Sequence, residues 1–311
     1  MNTSINLPEP GLDDYLSFAC SPVPWQLIYK RTFGRMCEYK GDATWSLLSG
    51  EVSNPDPLSF DPKELLEIPV LPKTTCADPF FCSHADKEIV FFEEWSAGSN
   101  HAHISAAQLS DQGLDIHTIR PVIETATHLS YPFVFNYDDR FWMIPEASAS
   151  GSLQLYRCEK FPYSWSPEKS LLKGIPYADP TMFEHNGRWW LFITFRHGIH
   201  GLNSDLFLYS ASDPISGDWS PHPLNPVVRG FHNSRPAGRP FVHDGRLYRP
   251  SQNCLKRYGY GLKINLVTEL STETFRETTV REILPWDDRI IGIHHLDFHQ
   301  NRILMDIHLK C

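Results

Sequence analysis

The sequence predicts an all-β protein, a five-bladed β-propeller whose ring is closed by N-terminal strands that complete the last blade. Three observations support this prediction: a hairpin pattern that occurs five times, strand-like runs between these hairpins, and a last repeat that ends after two strands. Repeats of about 50 residues with four strands each are typical of propeller blades. A β-sandwich is the structural alternative.

The repeated hairpin consists of a short apolar strand, a turn, a basic residue and a second apolar or aromatic strand. The five segments read ADPFFCSHADKEIVFFEE, SYPFVFNYDDRFWMIPEA, ADPTMFEHNGRWWLFITF, GRPFVHDGRLYRPSQN and HHLDFHQNRILMDIHL. The interval from proline to basic residue is eight residues in the first three segments and six from Pro240 to Arg246. Because a difference of two preserves the strand phase, we expect equivalent positions to face the same way. In the fifth segment Leu296 takes the position of the proline and Arg302 that of the basic residue.

Each of the first four hairpins is followed by a third strand-like run and a fourth short segment. The third runs are HISAAQL, SLQLYRC, DLFLYSA and KINLVTE. The last unit ends at Cys311 after two strands, so we expect its outer strands to come from residues around Trp25–Tyr29 and Ala43–Leu48, which hides exposed sheet edges. The predicted organisation is an N-terminal extension over residues 1–24 and a single propeller domain over 25–311.

The composition excludes several classes of partner. The 311-residue chain carries a net charge of −9, which disfavours nucleic acid or an anionic membrane and favours a small-molecule or glycan substrate. No apolar run approaches the ~20 residues of a membrane span. The polar, acidic N-terminus and seven cysteines without a CxxC pair predict a cytoplasmic protein with reduced thiols. The oligomeric state is left open.

The repeat also predicts where polar chemistry gathers, because the first strand of each propeller blade lines the central channel. The residues before the proline position form one ring: Asp78, Tyr131, Asp179, Arg239 and His295. The residues six positions after the basic residue form a second: Glu93, Glu146, Thr194, Gln252 and His308. Glycosidic chemistry needs carboxyl groups whose pKa values are set apart. The predicted catalytic residues are Asp78, Asp179, Glu146 and Glu93. The predicted substrate-binding residues are Tyr131, Arg239, Gln252, His295 and Arg235.

Each of these residues also has a structural interpretation. Aspartate before proline is common as a turn or capping residue, and the two glutamates are compatible with solvated strand ends or hydrogen bonds between blades. Arg239 is compatible with simple neutralisation of the carboxylates, and the histidines with satisfied core positions. The convergence of several acids, an arginine and a histidine on one channel mouth is what favours a functional site.

The motifs resemble those of known families. The ADPF strand, the hairpin ADPTMFEHNGRWWLF and the closing histidine strand resemble the five-bladed propeller glycosidases, the arabinanase and xylosidase group with its invertase-like relatives. From about Trp25, the segments HLSYPFVF, FPYSW, LNPVV and SRPAGRPFVHDGRLYRPSQNC look more closely like the N-terminal propeller domain of glucosamine inositolphosphorylceramide transferases. Related bacterial proteins also carry this domain.

The resemblance implies roles for individual residues. Asp78 matches the general base of the glycosidase group, and Asp179 matches the aspartate that tunes pKa and orients the sugar. The general acid of that group is a glutamate on blade four, where this chain has Ala237-Gly238-Arg239-Pro240. Glu146 or Glu93 would then have to deliver the proton. His294 and His295 match the fifth-blade position that helps to hold a calcium ion or water, so a structural Ca²⁺ on the axis is an expectation, with no cofactor required for the chemistry.

Three functions follow as hypotheses. The first is a carbohydrate-active enzyme that acts on a glycosidic or glycosyl-like bond by carboxylate acid–base chemistry. The second is a recruited biosynthetic enzyme that cyclises or rearranges a natural-product intermediate, for which a largely apolar pocket is expected. The third is a non-catalytic propeller that binds a glycan or another ligand, which the missing blade-four glutamate favours.

Overall fold

The computed structural model describes residues 43–54, 56–69, 73–85, 87–96, 98–110, 113–174, 176–196, 201–215, 218–299 and 302–310. Their strands form five antiparallel sheets of four or five strands, which are the blades of a propeller. The predicted five-bladed propeller is confirmed, and the β-sandwich alternative is wrong. The predicted extension over residues 1–24, its boundary at residue 25 and the expected strand at Trp25–Tyr29 lie outside the described residues.

The first three blades follow the chain from the axis outward. Blade 1 consists of Thr74–His84, Lys87–Ser96, His103–Ser110 and the two edge strands Gly113–Leu114 and Arg120–Ile123. Blade 2 consists of Ser130–Tyr137, Arg140–Glu146, Ser152–Lys160 and Ser164–Lys173. Blade 3 consists of Tyr177–His185, Arg188–Phe195, Asp205–Ala211 and the edge strands Ser220–Pro221 and Val228–Arg229.

Blade 5 joins the two ends of the described chain. Blade 4 is regular and consists of Phe241–His243, Arg246–Asn253, Gly261–Leu270 and Phe275–Ile283. Blade 5 consists of Ile290–Gly292, Leu296–His299, Arg302–Lys310, Ala43–Glu51 and Leu66–Glu67. Ala43 pairs with Lys310 and Glu51 with Arg302, so the predicted closure by Ala43–Leu48 is confirmed. The short 3₁₀ helices are Pro62–Glu64, Ile116–Thr118 and Ser148–Ser150.

Turn chemistry explains why the inner hairpins form where they do. A two-residue type I′ turn needs a positive φ at both central residues, which Asn, Asp and Gly tolerate best. Asp138 and Asp139 have φ values of 52° and 55°, and Asn186-Gly187 and Asp244-Gly245 repeat this conformation. The flanking strands are buried in continuous runs, because both faces of each blade pack against neighbouring blades. One cluster of buried apolar residues, around Phe80, Phe91, Phe133 and Leu191, extends across blades 1 to 3.

Blades 4 and 5 approach each other closely at Gly238, so a single added methyl group at this position is expected to destabilise the fold strongly. The φ of Gly238 is +124°, and a Cβ atom there would lie 1.9 Å from the carbonyl oxygen of Leu296. We expect Gly238→Ala to lower the free energy of unfolding in urea by about 3 kcal/mol or more. The matched control is Gly187→Ala, where φ is +71° but no atom lies within 4 Å, so a loss of about 1 kcal/mol is expected. Equal losses in the two variants would contradict the close approach.

Candidate active site

The inner strands of blades 1 to 3 share a distortion at the same position. Asp78, Tyr131 and Asp179 have φ values of 52°, 46° and 48°, the left-handed region that non-glycine residues rarely adopt. An extra residue interrupts the ladder there, for example between the pairs Ala77–Glu93 and Phe80–Phe91. Such bulges re-aim side chains and are frequent beside functional sites. The distortion lies at the end of the strand opposite the hairpin turn, which places the three residues on one face of the propeller.

The second predicted ring lies at one level. In blades 1 to 3, each member of this ring pairs with the inner-strand residue that precedes the bulge. In blades 4 and 5, each member pairs with the inner residue at the corresponding position. The ring consists of Glu93, Glu146, Thr194, Gln252 and His308. The backbone pairing therefore places these five positions at the same level of their blades, as the repeat predicts.

Arg235 joins two of the predicted acids. Its Nε lies 2.6 Å from Oδ2 of Asp179, and its Nη2 lies 3.1 Å from Oδ1 of Asp179 and 3.2 Å from Oε2 of Glu146. Gln252 donates to Asp179 over 3.1 Å, and the Asp179 backbone N–H donates to Glu146 over 3.2 Å. All four side chains are buried. A bidentate arginine with further hydrogen bonds is the arrangement that offsets the cost of burying carboxylates.

A second cluster surrounds Asp78 on the blade-5 side. Asp306 accepts the backbone N–H groups of Asp78, His294 and His295 at 2.9–3.0 Å, and its Oδ2 lies 2.6 Å from Nδ1 of His294. Oδ2 of Asp78 accepts the Tyr131 N–H at 3.1 Å. Oδ1 of Asp78 faces Nδ1 of His294 at 3.8 Å and Nδ1 of His295 at 3.6 Å. One oxygen of Asp78 is thus committed to the fold, and the other faces two imidazoles.

Burial and mutual repulsion shift the pKa values of these acids upward. Burial raises the pKa of Asp78 to about 7, with His294 opposing the rise and Asp179 and Asp306 adding to it. Burial, together with the nearby charge of Asp78, raises the pKa of Glu93 well above its usual value. Burial also raises the pKa of Glu146 well above its usual value, although Arg235 acts in the opposite direction. Three carboxyl groups at one place therefore have pKa values above those of free carboxyl groups.

The pKa values of the blade-5 residues His294 and Asp306 shift in the directions expected for an ion pair. Burial lowers the pKa of His294, but the charges of Asp306 and Asp78 outweigh it, and the net pKa is raised. Burial raises the pKa of Asp306, but His294 outweighs it, and the net pKa is lowered. Burial lowers the pKa of His295 to about 3, so this ring is neutral, and its two nitrogens have no hydrogen-bond partner among the described residues. His294 therefore supplies the positive charge that faces Asp78.

Glu93 has the most exposed side chain of the four predicted catalytic acids. Its Oε1 is 3.3 Å from Nε2 of His128, whose ring packs edge-on against Trp95, a tryptophan that is 38% exposed. The backbone N–H of Ala102 donates to Nδ1 of His128 over 3.3 Å, and burial lowers the pKa of this imidazole. Because Nδ1 of the neutral ring accepts this N–H, the ring proton lies on Nε2, the atom that faces Glu93.

The predicted calcium site can be tested against the donor atoms. Asp78, His294 and Asp306 each offer one ligand atom, all within 4.8 Å of one another. Ca²⁺ takes six to eight oxygen ligands. Both oxygens of Asp306 and one of Asp78 already accept backbone N–H groups, which leaves one uncommitted carboxylate oxygen beside two imidazoles. These residues form an ion pair and do not fit a calcium cage.

The raised pKa of Asp78 predicts a pH-dependent stability. Between its ordinary value of 3.8 and about 7, the folded protein keeps a proton that the unfolded chain has lost. This contribution to stability is fully present below about pH 4 and is lost as the pH rises through 7. Since asparagine does not titrate, the unfolding free energy of Asp78→Asn relative to wild type should increase over this range in urea titrations. A constant difference would show that the pKa of Asp78 is not raised.

Two residues predicted for the first ring lie elsewhere. The hairpin turns of blades 3 and 4 have the same length, since His185 pairs with Arg188 and His243 with Arg246. The shorter interval in blade 4 therefore arises because Pro240 lies two residues nearer the turn than Pro180. Arg239 lies correspondingly deeper, with Nε 3.4 Å from Oδ1 of Asp297 and its guanidinium over the rings of Phe80 and Phe133.

His295 is displaced in the same way, because it lies four residues before the turn pair of His299 and Arg302 rather than six. It packs edge-on against Phe80 and Tyr131 beneath Asp78. Tyr131 itself is fully buried, and its hydroxyl bonds Thr181 at 2.7 Å and accepts the Gly238 N–H at 2.9 Å. The hydroxyl of Tyr131 thus links three blades, and its predicted substrate contact is not favoured by this geometry.

Three residues of the site escaped the repeat pattern. Asp306 stands between apolar neighbours in the strand ILMDIHL, and this isolated acid was the available signal. Trp45 stacks between His294 and His308, with ring centroids 3.8 Å and 4.5 Å away. The ring of Tyr258 lies 4.7 Å from the guanidinium of Arg235. Trp45 and Tyr258 come from a distant strand and from a loop, so no repeat position marks them.

Comparison with solved structures agrees with this fold. The catalytic domain of an α-L-arabinofuranosidase from Coprinopsis cinerea gives a TM-score of 0.56 at 11% identity, covering 82% of this chain and 83% of that one. An exo-β-1,3-galactanase from Clostridium thermocellum gives 0.54 at 15% identity, covering 80% and 64%. The fold class is therefore the five-bladed propeller of these glycosidases.

The sequence places the chain more narrowly. Residues 66–294 match the family described as glucosamine inositolphosphorylceramide transferase 1, N-terminal, and the chain belongs to this family. The glucosamine inositolphosphorylceramide transferases 1 of Arabidopsis thaliana and Oryza sativa subsp. japonica are 38% and 36% identical over 213 residues. These matches cover 68% and 67% of this chain but only 28% of each relative. Within the described ranges, no helix has the length and apolar character needed to cross a membrane.

Proposed function

We propose that the protein is a carbohydrate-active enzyme that acts on a glycosidic or glycosyl-like bond at this face of the propeller. The observation that carries the proposal is the set of converging carboxyl groups with different surroundings. Asp78 faces a histidine ion pair, Glu93 faces a neutral histidine, and Glu146 and Asp179 share Arg235. Environments that separate the pKa values of paired carboxyl groups are what acid–base glycoside chemistry requires.

We infer a role for each acid from its surroundings. Asp78 is the base, because Oδ1 is uncommitted and a pKa of about 7 leaves it partly ionised at neutral pH. Glu93 is the proton donor, because burial raises its pKa well above the usual value and no cation among the causes of the shift opposes the rise. Glu146 is the other acid that the sequence offers for this role, but Arg235 and the Asp179 N–H engage its Oε2, and Arg235 opposes the rise in its pKa. Glu146 and Asp179 then orient the sugar through the Arg235 cluster.

The comparisons support the substrate class. The relatives are named for glycosyl transfer to inositolphosphorylceramide, and the structural neighbours are named for cleaving galactan and arabinofuranosides. We infer a glycoside of an inositol phosphate, or of a similar polar acceptor, as the substrate of this chain. An exposed aromatic at the mouth, Trp95, offers a stacking surface for a sugar ring.

The test is a set of glycosides that includes glucosaminyl inositol phosphate, galactosides and arabinofuranosides, followed by proton NMR. The proposal predicts that the wild-type protein cleaves or transfers the glycosyl group of at least one of them. Asp78→Asn is expected to bind the same compound without converting it. Conversion at an unchanged rate in Asp78→Asn would exclude Asp78 as the base.

A non-catalytic glycan-binding propeller is the second candidate, and two observations favour it. The blade-four glutamate of the glycosidases is replaced by the segment 237–240. In addition, three of the acids each accept a backbone N–H from a neighbouring blade and so help to hold the blades together: Asp78, Glu146 and Asp306. This candidate predicts saturable binding with no conversion of any compound in the set.

Two other predictions from the sequence stay predictions. A recruited biosynthetic enzyme calls for a largely apolar environment, whereas the groups facing Asp78 are polar, so no feature of the described residues favours it. The cytoplasmic location is likewise an expectation from the sequence, which cell fractionation can test.

A further inference from the structure

The loops around the site differ in charge from the rest of the protein. Antiparallel pairing puts the loop between the second and third strands of blades 1 to 4 at the end that holds the carboxyl groups. The described residues of these loops, 98–102, 147–151, 196 with 201–204, and 254–260, include no Asp or Glu, although the chain has 37 acids and 28 bases. The hairpin turns at the opposite end carry Asp138, Asp139 and Asp244. The described parts of the four loops between second and third strands are thus free of acidic residues, whereas the loops that lead into the first strands carry acids such as Glu124 and Asp287.

The blade-4 loop, Cys254–Tyr260, is held firmly against the site. The ring of Tyr258 contacts Arg235 at 4.7 Å and the His294 ring at 5.3 Å. The carbonyl of Gly259 accepts the Ile293 N–H at 2.7 Å, and a Cβ atom on Gly259 would lie 3.0 Å from His294. The loop is therefore preorganised, and a ligand that contacts it would reach the Arg235 cluster as well.

The same loop presents two cations without a carboxylate partner. Lys256 donates to the Tyr260 hydroxyl at 2.7 Å and lies over its ring, and the guanidinium of Arg257 lies 5.6 Å from that ring. No ion pair joins either cation to an acid of the described chain, and the buried Nε–H of Arg257 has no acceptor there. Arg257 is one of the charges that, after burial, lower the pKa of His308 in the second ring. A buried donor without an acceptor, close to the site, points to an anionic ligand.

We propose that the blade-4 loop is a binding site for the phosphate group of a phosphorylated carbohydrate. Lys256 supplies a point charge, and Arg257 supplies a planar guanidinium that matches phosphate oxygens. Tyr260 holds both cations in place, and the loop sets the sugar of such a ligand beside Arg235. The orientation of the sugar toward Asp78 and Glu93 rests on the proposed function, whereas the phosphate contact does not. A basic loop in a protein of net charge −9 would select the phosphate end of the ligand.

The test uses isothermal titration calorimetry at low ionic strength with inorganic phosphate, inositol 1-phosphate, inositol and a methyl glucuronide. We expect inositol 1-phosphate to bind more tightly than inorganic phosphate and inositol not to bind measurably. Arg257→Gln should weaken binding by about tenfold, and the double variant with Lys256→Gln should abolish it. Arg140→Gln, at an exposed hairpin turn of blade 2, is the matched control and should bind as wild type does. Unchanged affinity in the double variant, or preference for the glucuronide, would overturn the proposal.

Two further measurements separate failure of this site from other failures. Urea unfolding of each variant shows that lost binding is not lost folding, and Arg257→Lys should recover part of the affinity because it restores the charge. Asp78→Asn should bind inositol 1-phosphate as wild type does. If Asp78→Asn converts substrate normally while the loop variants lose phosphate binding, the proposed function fails and the phosphate site stands. If the loop variants keep their affinity while Asp78→Asn is inactive, the phosphate site fails and the proposed function stands.

Discussion

Replacing Arg235 with methionine is expected to destabilise the propeller by about 3–5 kcal/mol at neutral pH. Methionine keeps much of the volume of the side chain but removes its charge. Asp179 and Glu146, both buried, then lose the partner that lies 2.6 Å and 3.2 Å from them. Breaking a buried ion pair from one side is costly because the remaining charge has neither solvent nor a counter-charge.

Urea unfolding at several pH values measures this effect. Arg276→Met is the control, because the Arg276–Glu269 pair has a similar distance of 3.2 Å but is exposed, and a loss within about 1 kcal/mol is expected. Since the orphaned carboxylates can take up protons, the loss in Arg235→Met should shrink as the pH falls. Adding Asp179→Asn to Arg235→Met should recover part of the stability. Equal losses in Arg235→Met and Arg276→Met would contradict the described cluster.

Replacing Glu93 with glutamine is expected to reduce kcat/KM on the substrate by about 10²–10⁴-fold. Glutamine can still accept from His128 but has no proton to give to a leaving group. In the wild-type protein the rate should fall at acid pH as Asp78 takes up a proton with a pKa of about 7. It should fall again at alkaline pH as Glu93, whose pKa is raised, loses its proton. Glu93→Gln should lose the alkaline limb and keep the acid limb.

The adjacent glutamate provides the control for this experiment. Glu94 alternates to the other face of the same strand, where it accepts from Ser105 at 2.6 Å and lies 3.6 Å from His103. Glu94→Gln should therefore keep both limbs of the pH profile and a rate close to that of wild type. If Glu93→Gln retains the alkaline limb, the proton donor is another group, and Glu146→Gln becomes the next variant to measure.

The repeat in the sequence was sufficient to predict the blades and their closure. Turn pairs such as Asn186-Gly187 and Asp244-Gly245 mark the hairpins, and the apolar runs on either side mark the strands. Because each blade repeats the same ladder, the level shared by Glu93, Glu146 and Gln252 could also be predicted. In the repeated parts of the chain, local rules for turns and strands are therefore sufficient to predict the structure.

The parts that escaped prediction depend on features without a repeat. Proline is not a fixed marker of register, because Pro240 lies two residues nearer its turn than Pro180, and Arg239 therefore lies outside the predicted ring. Arg235 is engaged with Asp179 and Glu146, contacts that the sequence did not predict, and its predicted contact with substrate stays a prediction. Contacts of Trp45 and Tyr258 arise from elements far apart in sequence, so only the assembled ring reveals them.

The most direct measurement follows one glycoside by proton NMR with wild-type protein and with Asp78→Asn, so that binding and conversion are read from the same samples. Acid–base catalysis at the carboxyl cluster predicts conversion by wild type, equal binding by both proteins, and conversion by Asp78→Asn slower by about 10²-fold or more. Binding by both proteins with equal conversion, or with none by the wild type, would contradict catalysis by Asp78.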